Sequence, residues 1–258
     1  MIQIYNLVLY QPLFNLLVWL YNTIPGHDFG LAVIALTVII KLVLYPFSLQ
    51  SIRAQKAMQQ LQPKLEELKK KYKDNKEKLS VEMMNLYRAE KVNPLSSCLP
   101  VLIQLPFLIA VYQVFRRGLS NGSFEILYPF VANPGTINAS FLGLVDLSKP
   151  QVVLAVLAGA AQFWQAKMLQ VKPPPQGKNG QPIAGAKDEN MMAIMNKQML
   201  YMMPLMTVFI GFSLPGGLTL YWLVTTVLTV FMQLFLFRKK TGKPTGGAPT
   251  VIEGEIIK

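Results

Sequence analysis

Five stretches of the chain, Phe29–Leu49, Leu95–Phe115, Pro150–Ala166, Gln198–Leu214 and Leu218–Phe237, contain no Asp, Glu, Arg or Lys other than Lys41. Each runs to about 17–21 residues, and a helix needs about 20 to cross a ~30 Å hydrocarbon layer. The last two are separated only by "LPGG" (Leu214–Gly217), a turn signal between antiparallel elements. Polar and apolar residues do not alternate within the stretches. Lipid admits only helices or closed barrels, because every backbone group must find a partner inside the structure. The expected fold is therefore all-α, a polytopic membrane protein with transmembrane helices over 29–49, 95–115, 150–170, 198–214 and 218–237. A composition of 52% hydrophobic and only 15% charged residues excludes an ordinary soluble domain.

Basic residues set the orientation. Lys and Arg number eleven in 50–94, five in 167–197 and five in 238–258, against none in 1–28, three in 116–149 and none at the 214–217 turn. Five alternating spans put the three basic segments on one face, which the positive-inside rule makes cytoplasmic. The N-terminus is then outside and the C-terminus inside, in a cell inner (plasma) membrane. The net charge of +12 is accounted for by orientation and by attraction to anionic membrane lipids, with no direct nucleic-acid specificity. Cys98 stands alone, so no internal disulfide is expected, and its place at the start of a span suggests packing. His27 is the only histidine, which leaves no metal cluster and no histidine-based catalytic group. No GxxxxGK[ST] loop occurs. No cofactor is expected, and the chain does not read as an enzyme.

Segments between the spans differ in character. Residues 1–28 are uncharged except for Asp28, and 1–24 lack the basic region and cleavage site of a secretory signal. With Trp19 and Tyr21 suited to a headgroup boundary, an interfacial helix over 12–24 is preferred to a sixth span. In 50–94, Met58, Leu61, Leu65, Leu68 and Tyr72, then Leu79, Met83 and Leu86, recur at helical spacing on either side of "KDN" (Lys73–Asn75). That pattern predicts a cytoplasmic helical hairpin, either self-contained or a docking surface for partners. The outer loop 116–149 is long and carries turn signals and two glycosylation-type triplets, at Asn121 and Asn138. The cytoplasmic loop 171–197 is Pro- and Gly-rich over 172–190, which reads as mobile, and the tail 238–258 reads as disordered. Seven methionines between Met191 and Met206 suit adaptable packing beside lipid.

Lys41 is the anomaly. A cation at the centre of a span costs roughly 2.5–3.5 kcal/mol on insertion scales. The expected helix would leave it about eight residues, ~12 Å, from the cytoplasmic end, so snorkelling could relieve part of that cost. Other spans supply polar faces: Thr219, Trp222, Thr226, Thr229 and Gln233 in the last, Thr37, Lys41, Tyr45 and Ser48 in the first, Gln162 and Gln165 in the third, Ser97 and Gln104 in the second. Such stripes are costly toward lipid and natural toward one another. Turned inward, they predict a wet, basic groove open to the cytoplasm.

The chain also contains "RAEKVNPLSSCLPVLIQLP" (Arg88–Pro106), "LQPKLEELKKKY" (Leu61–Tyr72), "FWQAKM" (Phe163–Met168) and "FSLPGGLTLYW" (Phe212–Trp222). In these it resembles the membrane protein insertases that include bacterial YidC, the mitochondrial oxidase-assembly translocases and the chloroplast Albino-type proteins. The likeness extends over roughly residues 10–240 in the same order. It implies five helices enclosing a hydrophilic groove, and insertion and folding of nascent membrane proteins without nucleotide hydrolysis. The family's groove arginine, in a pattern like "IRLxxxP", corresponds to Lys41 in "IKLVLYP". That keeps the charge and loses the guanidinium fork. Gln165 and Trp222 match groove residues of the third and last spans; with Lys41, Gln104, Gln162 and Thr226 they form the expected substrate-binding groove. Further implied partners are the Sec translocon, the ribosome and signal recognition particle components. A small ion channel or transporter, or a membrane-embedded assembly scaffold, is the alternative reading of the same polar stripe.

Overall fold

A computed structural model describes the backbone of residues 2–72, 75–93, 99–118, 124–169 and 186–238. The expectations for Ser97, Cys98, the Asn121 triplet, residues 172–185 and the tail from 239, and for the side chains of Arg117 and of Met191 to Met199, lie outside the described residues.

The chain opens with α1 (Ile2–Tyr5), one π-helical stretch (Asn6–Tyr10) and α2 (Gln11–Thr23). Pro12 sits in the first turn of α2, where its missing N–H leaves a carbonyl of the preceding turn without its usual donor and widens the coil. The combined helix Gln3–Thr23 is 21 residues long and apolar enough to cross a membrane. It therefore extends well beyond the helix expected over 12–24.

Its polar side chains nevertheless bind residues 126–132. Gln11 Nε2 and Asn15 Nδ2 each donate to Ile126 O at 3.1 Å. Asn15 Oδ1 accepts from Tyr128 N at 2.6 Å, and Asn22 Nδ2 donates to Ala132 O at 2.7 Å. Replacing Asn15, which is 2% exposed, with Leu leaves Ile126 O to Gln11 but strands the part-buried Tyr128 N–H, at about 1–3 kcal/mol. Asn15→Leu should lower the thermal midpoint in detergent and speed protease cleavage within 124–149, while Asn22→Ala at the half-exposed end changes little.

α3 (Phe29–Val43) starts where Asp28 caps it, accepting from Leu31 N at 2.8 Å. It stops at Leu44, and α4 (Tyr45–Lys71) departs at a bend of 70°. The stretch expected as one helix over 29–49 is thus two helices joined at a bend. Pro46, in the first turn of α4, is the cause, since its ring and missing N–H interrupt the hydrogen-bond ladder there. The 15 residues of α3 reach only about 22 Å.

α4 and α5 (Lys76–Ala89) form the two arms of the expected hairpin, but α4 begins at the bend and runs unbroken through Pro63. Lys64 pairs with Glu90 to tie the arms. They are unequal: Ile52, Leu61 and Leu65 of α4 are buried, whereas α5 buries no residue. α4 packs against α6 (Leu99–Gly118), α7 (Val152–Leu169) and α9 (Gly216–Arg238) as well as α5. Polar contacts join it to the ends of α7 and α9, from Gln59 Nε2 to Met168 O (3.5 Å) and from Lys56 Nζ to Leu236 O (3.4 Å).

α8 (Ala186–Ser213) begins twelve residues before the span expected over 198–214. Lys187, Asp188 and Glu189, read above as part of a mobile loop, are helical. A helix satisfies its backbone without an apolar face, so hydropathy marks where a span ends but not where its helix does. α7 and Gly216–Leu236 of α9 have the length and apolarity of spans, and Leu102–Arg116 and Leu200–Ser213 are shorter apolar helices.

Opposite α4, the helix ends converge. The Phe29 and Phe115 rings meet edge to face at 5.4 Å, beneath Gly217, whose added Cβ would come within 3.3 Å of both rings. Gly216 N and Gly217 N donate to Lys149 O and Leu147 O. The starts of α3, α7 and α9 therefore share one end of the molecule with the end of α6. Large apolar side chains, among them Val153, Leu157, Phe209 and Phe231, are exposed around the bundle, as lipid-facing surfaces are.

Candidate functional site

α9 supplies the spine of the site. Thr219, Thr226 and Gln233 are buried, and Trp222 and Thr229 half-buried, so the polar stripe of the last span does face the protein. Its hydroxyls first satisfy themselves: Thr226 Oγ1 donates to Trp222 O (2.9 Å) and Thr229 Oγ1 to Thr225 O (2.7 Å). Such bonds to the preceding turn occupy the proton and leave the oxygen free to accept.

Thr229 uses that capacity. Lys41 Nζ donates to Thr229 Oγ1 at 3.0 Å, so α3 and α9 are joined by a partly buried ammonium–hydroxyl contact. Lys41 lies in the last turn of α3, two residues from its end. The expected eight-residue distance to the cytoplasmic end is thereby corrected: the bend at Leu44 brings the helix terminus to the lysine. Unpaired carbonyls at a helix C-terminus carry partial negative charge and favour a cation by about 0.3–1 kcal/mol or somewhat more when partly buried. No acidic side chain occurs in 29–43 or 218–237, so hydroxyl and helix end stabilise the charge without neutralising it.

The rest of the predicted stripe on the first span is broken up. Thr37 is buried and bonded to Val33 O (2.6 Å), in line with Lys41. Tyr45 and Ser48 fall beyond the bend, with Tyr45 47% exposed, and do not continue that face. Gln104 of α6 reaches α9 through a hydrogen bond from its Nε2 to the Tyr221 hydroxyl. Gln162 and Gln165 of α7 are half-buried, on a helix packed against α9, and make no hydrogen bond among the described residues. Lys41 and Gln104 thus each reach α9, at Thr229 and Tyr221, Thr226 bonds within α9, and the two α7 glutamines flank it without a side-chain hydrogen bond among the described residues. Open surface depressions occur at α5 near Met84 and Tyr87 and beside Asn138 and Asp146, with Lys41 in the lining of neither.

Two members of the site escaped the predicted set. Tyr221 is 1% exposed and carries the Gln104 bond; Gln55 of α4 accepts from buried Gln233 at 3.4 Å. Tyr221, Thr225 and Thr229 stand four residues apart, a second polar line beside the predicted one. That spacing was the available signal, hidden because tyrosine reads as apolar.

Residues 19–243 match the family described as the 60Kd inner membrane protein. A membrane protein insertase YidC of Fusobacterium nucleatum is 35% identical over 233 residues, spanning 90% of this chain and 98% of that protein. One of Clostridium tetani is 36% identical over 217 residues, 84% of each chain. One of Mannheimia succiniciproducens is 35% identical over 233 residues, 88% of this chain but 36% of that longer protein.

Proposed function

The chain belongs to the 60Kd inner membrane protein family, and from that premise we infer that it is a membrane protein insertase. It is a mostly helical, multi-pass protein of a cell membrane. Its work is to pass nascent membrane proteins into the bilayer and to assist their folding, with the Sec translocon, the ribosome and signal recognition particle components as candidate partners. No bond-breaking step is needed. A client's apolar segment releases about 25 cal/mol per Å² when it enters lipid, and only its polar flank requires help.

Lys41 gives that help in our reading. Its ammonium, held by Thr229 and the end of α3 and paired with no carboxylate among the described residues, attracts the acidic or polar flank. Water admitted from the cytoplasmic side, around Gln104, Gln162, Gln165, Trp222 and Thr226, lowers the cost of carrying the flank part-way across. The client helix then leaves along α7 and α9. The N-terminal helix lies along the outer face instead of crossing, a placement supported by its bonds to 126–132. The basic segments, α4 and α5 included, face the cytoplasm.

The observation that carries this reading is the Lys41–Thr229 contact between α3 and α9 in a chain similar to insertases over most of its length. Photo-crosslinkers at Gln165 and Trp222 should capture a small membrane protein during its synthesis. A crosslinker at Phe231, 63% exposed on α9, should capture lipid or late intermediates only. Equal early capture at all three positions would refute a polar path.

A further inference from the structure

Residues 140–146 form a small antiparallel hairpin, β1 (Ser140–Phe141) with β2 (Val145–Asp146), in which Phe141 pairs with Val145. Its tip is Leu142-Gly143-Leu144. Hairpin tips ordinarily carry Gly, Asn or Asp, which accept positive φ and solvent. Here a leucine occupies the left-handed region, Leu142 at φ 52°, a conformation uncommon for any residue with a Cβ. Both leucines point away from the protein, Leu142 59% and Leu144 85% exposed.

The tip is held in place. Asp28 uses one carboxylate oxygen to cap α3 and the other to accept from Leu142 N. Phe141 packs on Gly30, where an added Cβ would lie 2.1 Å from its ring. At the base, Gln151, just before α7, donates to Asp146 O. The hairpin is therefore fixed between the starts of two apolar helices, level with the first turn of α3. Beside it the apolar exposure continues through Leu31, Val152 and Val153, while its charged groups, Asp146 and Lys149, pair at the base.

We propose that this hairpin is a lipid anchor: Leu142 and Leu144 insert into the headgroup–acyl boundary of the leaflet at which α3 and α7 begin, and Asp28 positions them. The occupant is lipid because the tip adjoins the exposed apolar belt of the bundle at interface depth. Fixing two leucines there in advance removes the ordering cost of immersing them and anchors that end of α3 and α7. The anchor does not depend on the insertase reading.

The test uses the full chain in phospholipid vesicles, with Cys98→Ser and a polarity-sensitive fluorophore on Leu144→Cys or, for comparison, Lys149→Cys. The label at 144 should be blue-shifted, quenched by lipids spin-labelled near the headgroup, and shielded from iodide; the label at 149 should show the reverse. Asp28→Asn keeps an α3 cap but cannot accept from Leu142 N at the same site. It should shift the 144 label toward iodide quenching. Iodide quenching at 144 equal to that at 149 places the tip in water, and quenching by neither agent places it under protein; either overturns the anchor. An Asp28→Asn variant with unchanged quenching overturns the positioning role.

Discussion

Lys41→Ala should lower insertion of clients whose leading flank is acidic by about tenfold or more, and Lys41→Arg should restore it. Two unit charges 4 Å apart attract by about 4 kcal/mol at an effective dielectric of 20. Since 1.4 kcal/mol is tenfold, losing even part of that attraction lowers the insertion rate by about tenfold or more. Arginine keeps the charge and adds a planar fork able to hold a carboxylate by two bonds, so full recovery is expected. Thr229→Val separates charge from placement: the ammonium remains but loses its 3.0 Å acceptor, and activity should fall less than in the Ala variant. Protease protection of a client tail in reconstituted vesicles reads all three. Parental rates in Lys41→Ala would remove this lysine from the mechanism, whatever the other two variants do.

Gly159→Leu disrupts the contact of α7 with α8. An added Cβ at Gly159 would lie 2.3 Å from Val208 Cγ2 and 3.2 Å from the Pro204 carbonyl, so the helices approach there only because the residue has no side chain. Small residues at such contacts are how helices associate in lipid, where apolar burial alone does not favour one neighbour over another. Overpacking usually costs 1–3 kcal/mol and occasionally more. With backbone among the obstructing atoms, the upper end, about 3 kcal/mol, is expected. Thermal unfolding in detergent should show a large drop and reduced yield. Ala160→Leu, one residue on and exposed, should be nearly silent. A stable Gly159→Leu protein would mean that α7 and α8 do not pack as described.

The two variants differ in how far they could have been anticipated. Lys41 announces itself in the sequence because a charge in an apolar run is rare and expensive. Gly159 does not, since "LAGAA" (Leu157–Ala161) offers several small residues and only the position of Val208 selects one. The α9 stripe was legible from 3- and 4-residue spacing and does face inward. The same rule misled on the first span, because periodicity carries across a bend that Pro46 introduces; Tyr45 and Ser48 share a phase with Lys41 but not a helix. The N-terminal helix shows a third case. Its glutamine and asparagines were visible as unusual for a span, but not the backbone they bind more than a hundred residues away.

From the sequence alone came the helical, membrane-bound character of the chain and the singular position of Lys41. Hydropathy, charge and helical period are properties of neighbours along the chain, and a bilayer acts on them directly. The tertiary structure alone decided that α3 ends beside the lysine, that Thr229, 188 residues away, accepts its hydrogen bond, and that Tyr221 and Gln104 join α6 to α9. Those pairings depend on which helix faces which and at what height, and nothing local in the chain encodes that.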